Sequence, residues 1–80
     1  MNIYVGNLDF KINESDLKEI FEEYGTVSSA KVITDRYSGR SKGFGFVEMD
    51  DAEAQRAITE LNGATLSNRE MVVNEARPKK

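Results

Sequence analysis

The 80-residue sequence contains neither cysteine nor histidine. Without cysteine there is no disulfide and no thiolate chemistry, so the chain suits a reducing compartment and does not depend on an oxidising one. Without histidine, imidazole acid-base catalysis and most transition-metal ligation fall away, which leaves carboxylates and lysines as the remaining acid-base groups. No apolar run is long enough to cross a bilayer, and Met1-Asn2-Ile3-Tyr4-Val5-Gly6 is not a basic segment followed by an apolar core. The expectation is a soluble, intracellular, cytoplasmic protein, or a nuclear one in a eukaryote.

An excess of positive charge is missing too. Eleven Lys and Arg against fourteen Asp and Glu give a net charge of -3, whereas a basic domain is the usual footprint of a nucleic-acid binder. The charge is segregated along the chain, however. Glu14, Asp16, Glu19, Glu22 and Glu23 face only Lys18, while Lys31, Arg36, Arg40 and Lys42 face only Asp35. Screening over about 8 to 10 Å lets a basic segment act locally if the acidic one lies across the fold; two unrelated solvated faces would give the same pattern. What is present otherwise, 39% hydrophobic and 31% charged residues, describes one small globular domain with little room for an internal substrate cavity.

Asn2 to Gly6 alternates polar and apolar and stops at the turn-prone pair Gly6-Asn7, which predicts a first strand. Asn13 with Asp16 three positions on, followed by Leu17, Ile20, Phe21 and Tyr24, predicts a helix over about 14–24 ending at Gly25. Val27 to Thr34 reads as a second strand, and Asp35-Arg36-Tyr37-Ser38-Gly39 as a hairpin loop. Gly43 to Met49 reads as the third strand. Asp50 or Asp51 opens a second helix to about Leu61, with Ala54, Ala57, Ile58 and Leu61 as its buried stripe. Leu66 lies in a short extended piece, Glu70 to Ala76 is the last strand, and 78–80 reads as a frayed tail behind a single domain of residues 1–77. The order βαββαβ predicts an α+β fold, an antiparallel sheet with both helices on one face and the other face bare.

Alternation places Tyr4, Phe44, Phe46 and Glu48 on that bare face and Gly45, Val47 and Met49 against the helices. Slipping the third strand by one residue would bury Glu48 and expose Val47 and Met49. Aromatic rings left in water forgo burial, and nucleobases, flat on both sides, supply a reason, since a stacked base is worth about 1 to 3 kcal/mol. Phe21 belongs to the core, Phe10 and Tyr24 to the core or its margin, and Tyr37 to the exposed loop.

Lys42-Gly43-Phe44-Gly45-Phe46-Val47-Glu48-Met49 resembles the octamer signature of the RNA-recognition motif, and Ile3-Tyr4-Val5-Gly6-Asn7-Leu8 is similar to that family's hexamer. The match covers essentially the whole chain, and its early start and Val73-Asn74-Glu75-Ala76-Arg77-Pro78 ending are similar to small single-domain bacterial members and plant glycine-rich-type proteins. The resemblance implies a ferredoxin-like βαββαβ sandwich with strand order 4-1-3-2. It further implies that Tyr4 and Phe44 each stack a base, that Phe46 packs against the sugars between them, and that Lys42 pairs with a phosphate. Asn2, Lys31 and Glu48 flank this platform, and Arg40, Asn74 and Arg77 rim it. Met49 departs from the aromatic that ends the octamer, which bears on core packing.

The expected partner is single-stranded RNA, with single-stranded DNA left open, bound by a monomer without metal or cofactor. A protein-binding variant of the same fold is the main alternative, although such members commonly lose the exposed rings. Catalysis is not expected: the glycines form no phosphate-cradling loop that opens a helix, and the carboxylates fall mainly on helix surfaces.

Overall fold

The computed structural model describes residues 1–66 and 68–76. Chain order is β1 (Asn2–Gly6), α1 (Glu14–Glu22), β2 (Val27–Thr34), β3 (Ser41–Met49), α2 (Asp51–Leu61), β4 (Thr65–Leu66), β5 (Arg69–Glu70) and β6 (Val72–Ala76). The main antiparallel sheet runs β2-β3-β1-β6, the expected order 4-1-3-2 with β6 as the fourth strand.

The core follows from the alternation. Ile3 and Val5 of β1, Val47 and Met49 of β3 and Val73 of β6 are buried against Leu17 and Phe21 of α1 and Ala54, Ala57 and Leu61 of α2. Met49 is 1% exposed, so a flexible thioether fills the place where the signature carries a ring. Gly45 makes this packing possible. A Cβ there would collide with the Lys31 carbonyl oxygen of β2 and sit 3.3 Å from a Leu17 methyl, so only glycine lets β2 and α1 approach so closely.

The start of α1 is fixed by a reciprocal cap: Asn13 Oδ1 accepts from the Asp16 N–H at 2.9 Å, and Asp16 Oδ2 from the Asn13 N–H at 3.2 Å. The Glu14 carboxylate accepts from the Val32 N–H at 3.3 Å, tying the helix to the edge strand β2 and occupying one of its donors. In the hairpin loop, Asp35 Oδ1 accepts from the N–H groups of Tyr37 and Ser38 at 2.8 and 3.0 Å.

Two expectations need correction. Residues 70–76 do not form one strand: Arg69–Glu70 pairs with Thr65–Leu66 in a separate hairpin, and the main sheet takes only Val72–Ala76. Met71 is where the chain changes partner, its backbone bonded to Ala64 and Gly63 and its side chain buried. Phe10 is not a core residue either, being 63% exposed. It lies in the loop between β1 and α1, whose burial is supplied by Leu8 and Ile12 instead. Tyr24 packs at the core margin and Phe21 is fully buried, as the helical spacing predicts.

Candidate nucleic-acid interface

The pairing of strands sets the geometry of the bare face. Tyr4 is the Cα partner of Phe46 on one side and of Asn74 on the other, and Phe46 is the partner of Lys31. One row, Lys31–Phe46–Tyr4–Asn74, therefore crosses all four strands. The adjacent row is Ser29–Glu48–Asn2–Ala76. Asn2, Lys31, Glu48 and Asn74 are all exposed, so the polar residues expected to flank the platform stand beside it in register.

Three rings fill the centre. Tyr4 and Phe44 lie 6.0 Å apart between centroids and tilted by 35°, Tyr4 and Phe46 5.8 Å apart at 62°, and Phe44 and Phe46 6.3 Å apart at 90°. These are mutually supporting tilted and edge-to-face contacts, which hold the rings in place without covering them from above. Phe46 is 36% exposed, whereas Tyr4 and Phe44 are half-buried. Tyr4 leans along its strand over Gly6, where an added Cβ would fall 2.7 Å from the phenolic oxygen and 2.9 Å from Cε1.

The basic residues border one end. Lys42 is the second residue of β3, two positions before Phe44, and Arg40 ends the hairpin loop, both exposed. The Asp35 carboxyl lies below the ordinary carboxylate range because the N–H groups of Ser38 and then Tyr37 donate to it, with the Lys42 charge assisting. It stays ionised, and its Oδ1 is committed to the loop. Arg77, the remaining rim candidate, lies outside the described residues.

A model of the RNA recognition motif matches residues 3–72. The chain belongs to the RNA recognition motif family. It is 50% identical over 80 residues to RbpD of Nostoc sp., covering 99% of this chain and 85% of that protein. The crystal structure of RNA binding protein PG1 superposes with a TM-score of 0.93 at 54% identity, over 99% of both chains. The Sex-lethal protein/RNA complex superposes with a TM-score of 0.93 at 31% identity, over 99% of this chain and 48% of that one. Of the aromatic positions of the two signatures this chain keeps Tyr4, Phe44 and Phe46 and departs at Met49, and its fold brings the three rings together.

Sequence reasoning passed over two features of this surface. Val72, 41% exposed, shares the alternation of Asn74 and extends the face opposite Gly6; the alternation along the expected last strand already carried that signal. Phe10 and Arg69, distant in sequence, stack with the guanidinium carbon 5.6 Å from the ring centroid, and no local pattern pairs them.

Proposed function

We propose that this chain binds single-stranded RNA on the open face of its sheet, with Tyr4, Phe44 and Phe46 as the stacking surface. The observation that carries this reading is the contiguous three-ring cluster, on the face of the sheet turned away from the core that the described residues form. Planar π-faces flanked by a lysine and by amides suit unpaired bases, whereas a duplex hides its bases in the stack. RNA is favoured over DNA by the relatives: PG1 is named as an RNA-binding protein, and Sex-lethal is in complex with RNA.

Exposure and register favour a division of labour other than the one the resemblance implies. Phe46 is the most open of the three rings and is Tyr4's direct cross-strand partner, so Tyr4 and Phe46 each take a base. Phe44, recessed and perpendicular to Phe46, packs against the sugars joining them. Lys42 and Lys31 meet phosphates, Asn2, Asn74 and Glu48 offer hydrogen bonds to base edges, and Arg40 and Arg77 add charge at the rim. The unit acts as a monomeric binding module spanning residues 1–77 rather than as a catalyst, because its face offers stacking surfaces and not paired proton donors and acceptors.

Fluorescence anisotropy with a labelled random ten-nucleotide RNA, free or annealed to its complement, tests this. Saturable binding of the free strand with little competition from the duplex is expected. A duplex that binds as tightly would contradict it.

A further inference from the structure

Phe10 is an apolar ring that the protein leaves in water and then equips. The Arg69 guanidinium lies over it, 5.6 Å from the centroid, and is itself held by Asn7, whose Oδ1 accepts from Nη1 at 3.5 Å and whose Nδ2 donates to the Glu70 carbonyl at 2.7 Å. The ring is anchored to the platform strand: the Leu8 N–H donates to the Gly43 carbonyl at 2.8 Å, and a Cβ on Gly43 would fall 3.9 Å from Phe10 Cε1. Gly43 has φ +87°, so the chain turns there between Lys42 and Phe44 in a conformation that favours glycine.

Beside the ring a groove of about 680 Å³ separates the β1–α1 loop from the β2–β3 hairpin, with Lys11, Arg40 and Lys42 on its walls. Asp35 also lines it, but its carboxylate is engaged by the Tyr37 and Ser38 N–H groups. A strand leaving the platform past Phe44 thus meets an exposed ring, a guanidinium and three further cations. That combination matches the two halves of a nucleotide: a π-face for the base and positive charge for the phosphate.

From this juxtaposition we infer that Phe10 and Arg69, with the groove walled by Lys11, Arg40 and Lys42, form an accessory subsite for one further nucleotide of the bound strand. The inference rests on the platform reading and extends it: Tyr4 and Phe46 hold two bases, and Phe10 engages a third beyond Phe44. The subsite lengthens the footprint, and Phe10, Lys11, Arg40 and Arg69 lie outside both signatures.

Oligouridylates of two and six nucleotides, titrated against the wild type and against Phe10→Leu, Arg69→Gln and Tyr4→Ala variants, test it by anisotropy and amide spectra. Phe10→Leu keeps an apolar side chain beside Gly43 while removing the π-face. The subsite predicts that Phe10→Leu weakens the six-nucleotide strand about 5- to 100-fold, that Arg69→Gln weakens it less, and that neither changes the two-nucleotide strand. Tyr4→Ala weakens both lengths. Equal affinities of wild type and Phe10→Leu for the longer strand would overturn the subsite while sparing the platform. So would an equal loss at both lengths, which would make Phe10 a support for Phe44. Failure of the wild type to bind either strand would remove the platform and the subsite with it.

Discussion

Replacing Tyr4 and Phe46 together by alanine removes two of the three rings and leaves every core residue in place. If each ring stacks a base, each is worth about 1 to 3 kcal/mol. The two rings touch, with centroids 5.8 Å apart, so their contributions need not add. About 2 kcal/mol is a conservative combined loss, roughly a 30-fold weakening, and about 6 kcal/mol is the ceiling. The fold should tolerate the change. Tyr4 is half-buried and Phe46 is 36% exposed, so what is lost is chiefly their mutual edge contacts, at about 0.5 to 1.5 kcal/mol per aromatic pair. Phe21, fully buried, sets the contrast: Phe21→Ala should cost about 3 to 5 kcal/mol. Anisotropy with single-stranded RNA and thermal melting, run on the double variant and on Tyr4→Leu with Phe46→Leu, separate the two effects, because leucine keeps apolar cover without a π-face. A folded double variant that binds within threefold of wild type would refute the stacking platform. If both the alanine and the leucine variants unfold, the rings are core and the strand faces have been misassigned.

Other perturbations read different parts of the structure. Gly6→Ala should leave the melting temperature nearly unchanged yet weaken RNA binding, because its methyl takes the space over which Tyr4 leans; Gly45→Ala should instead destabilise by about 1 to 3 kcal/mol through collision with the β2 backbone. Equal melting temperatures for the two would contradict this. The logarithmic salt dependence of binding should have a slope of about -2 to -3.5, or about -0.7 for each of three to five phosphates met by Lys31, Arg40, Lys42, Lys11 and Arg69; a slope steeper than about -4 would reveal a basic surface missed here. The folded pKa of Asp35 is depressed below 3.8, so its support of the loop is complete above that value and is lost as the pH falls through the lower, folded one. Faster amide exchange at Tyr37 and Ser38, relative to Val47, should therefore appear only below about pH 3.8; loosening near neutral pH would rule this out.

The sheet and its faces were legible because each central strand carries a period-2 pattern with a costly alternative: Glu48 cannot be buried alone, and Val47 and Met49 resist exposure. The α1 start was legible from Asn13 and Asp16, whose side chains answer each other locally. Less could be read where tertiary contacts decide. The last strand divides at Met71 because that residue's partners, Ala64 and Gly63, come from a turn whose position follows from the packing of α2. Phe10 reads as a core candidate by residue type, and only the placement of Leu8 and Ile12 shows that the loop is already anchored without it. Likewise the signatures name the aromatic positions, but relative exposure and cross-strand partnership are what distinguish Phe46 from Phe44.

Amide and aromatic NMR shifts of the whole chain during titration with a single-stranded RNA pool test the central claim most directly. The structure predicts that the largest changes fall on Lys31, Phe46, Tyr4 and Asn74, the row crossing all four strands, and on Phe44 beside it, with the exposed residues Glu19 and Glu22 of α1 unmoved. Changes centred on the helices, with the three rings silent, would contradict it.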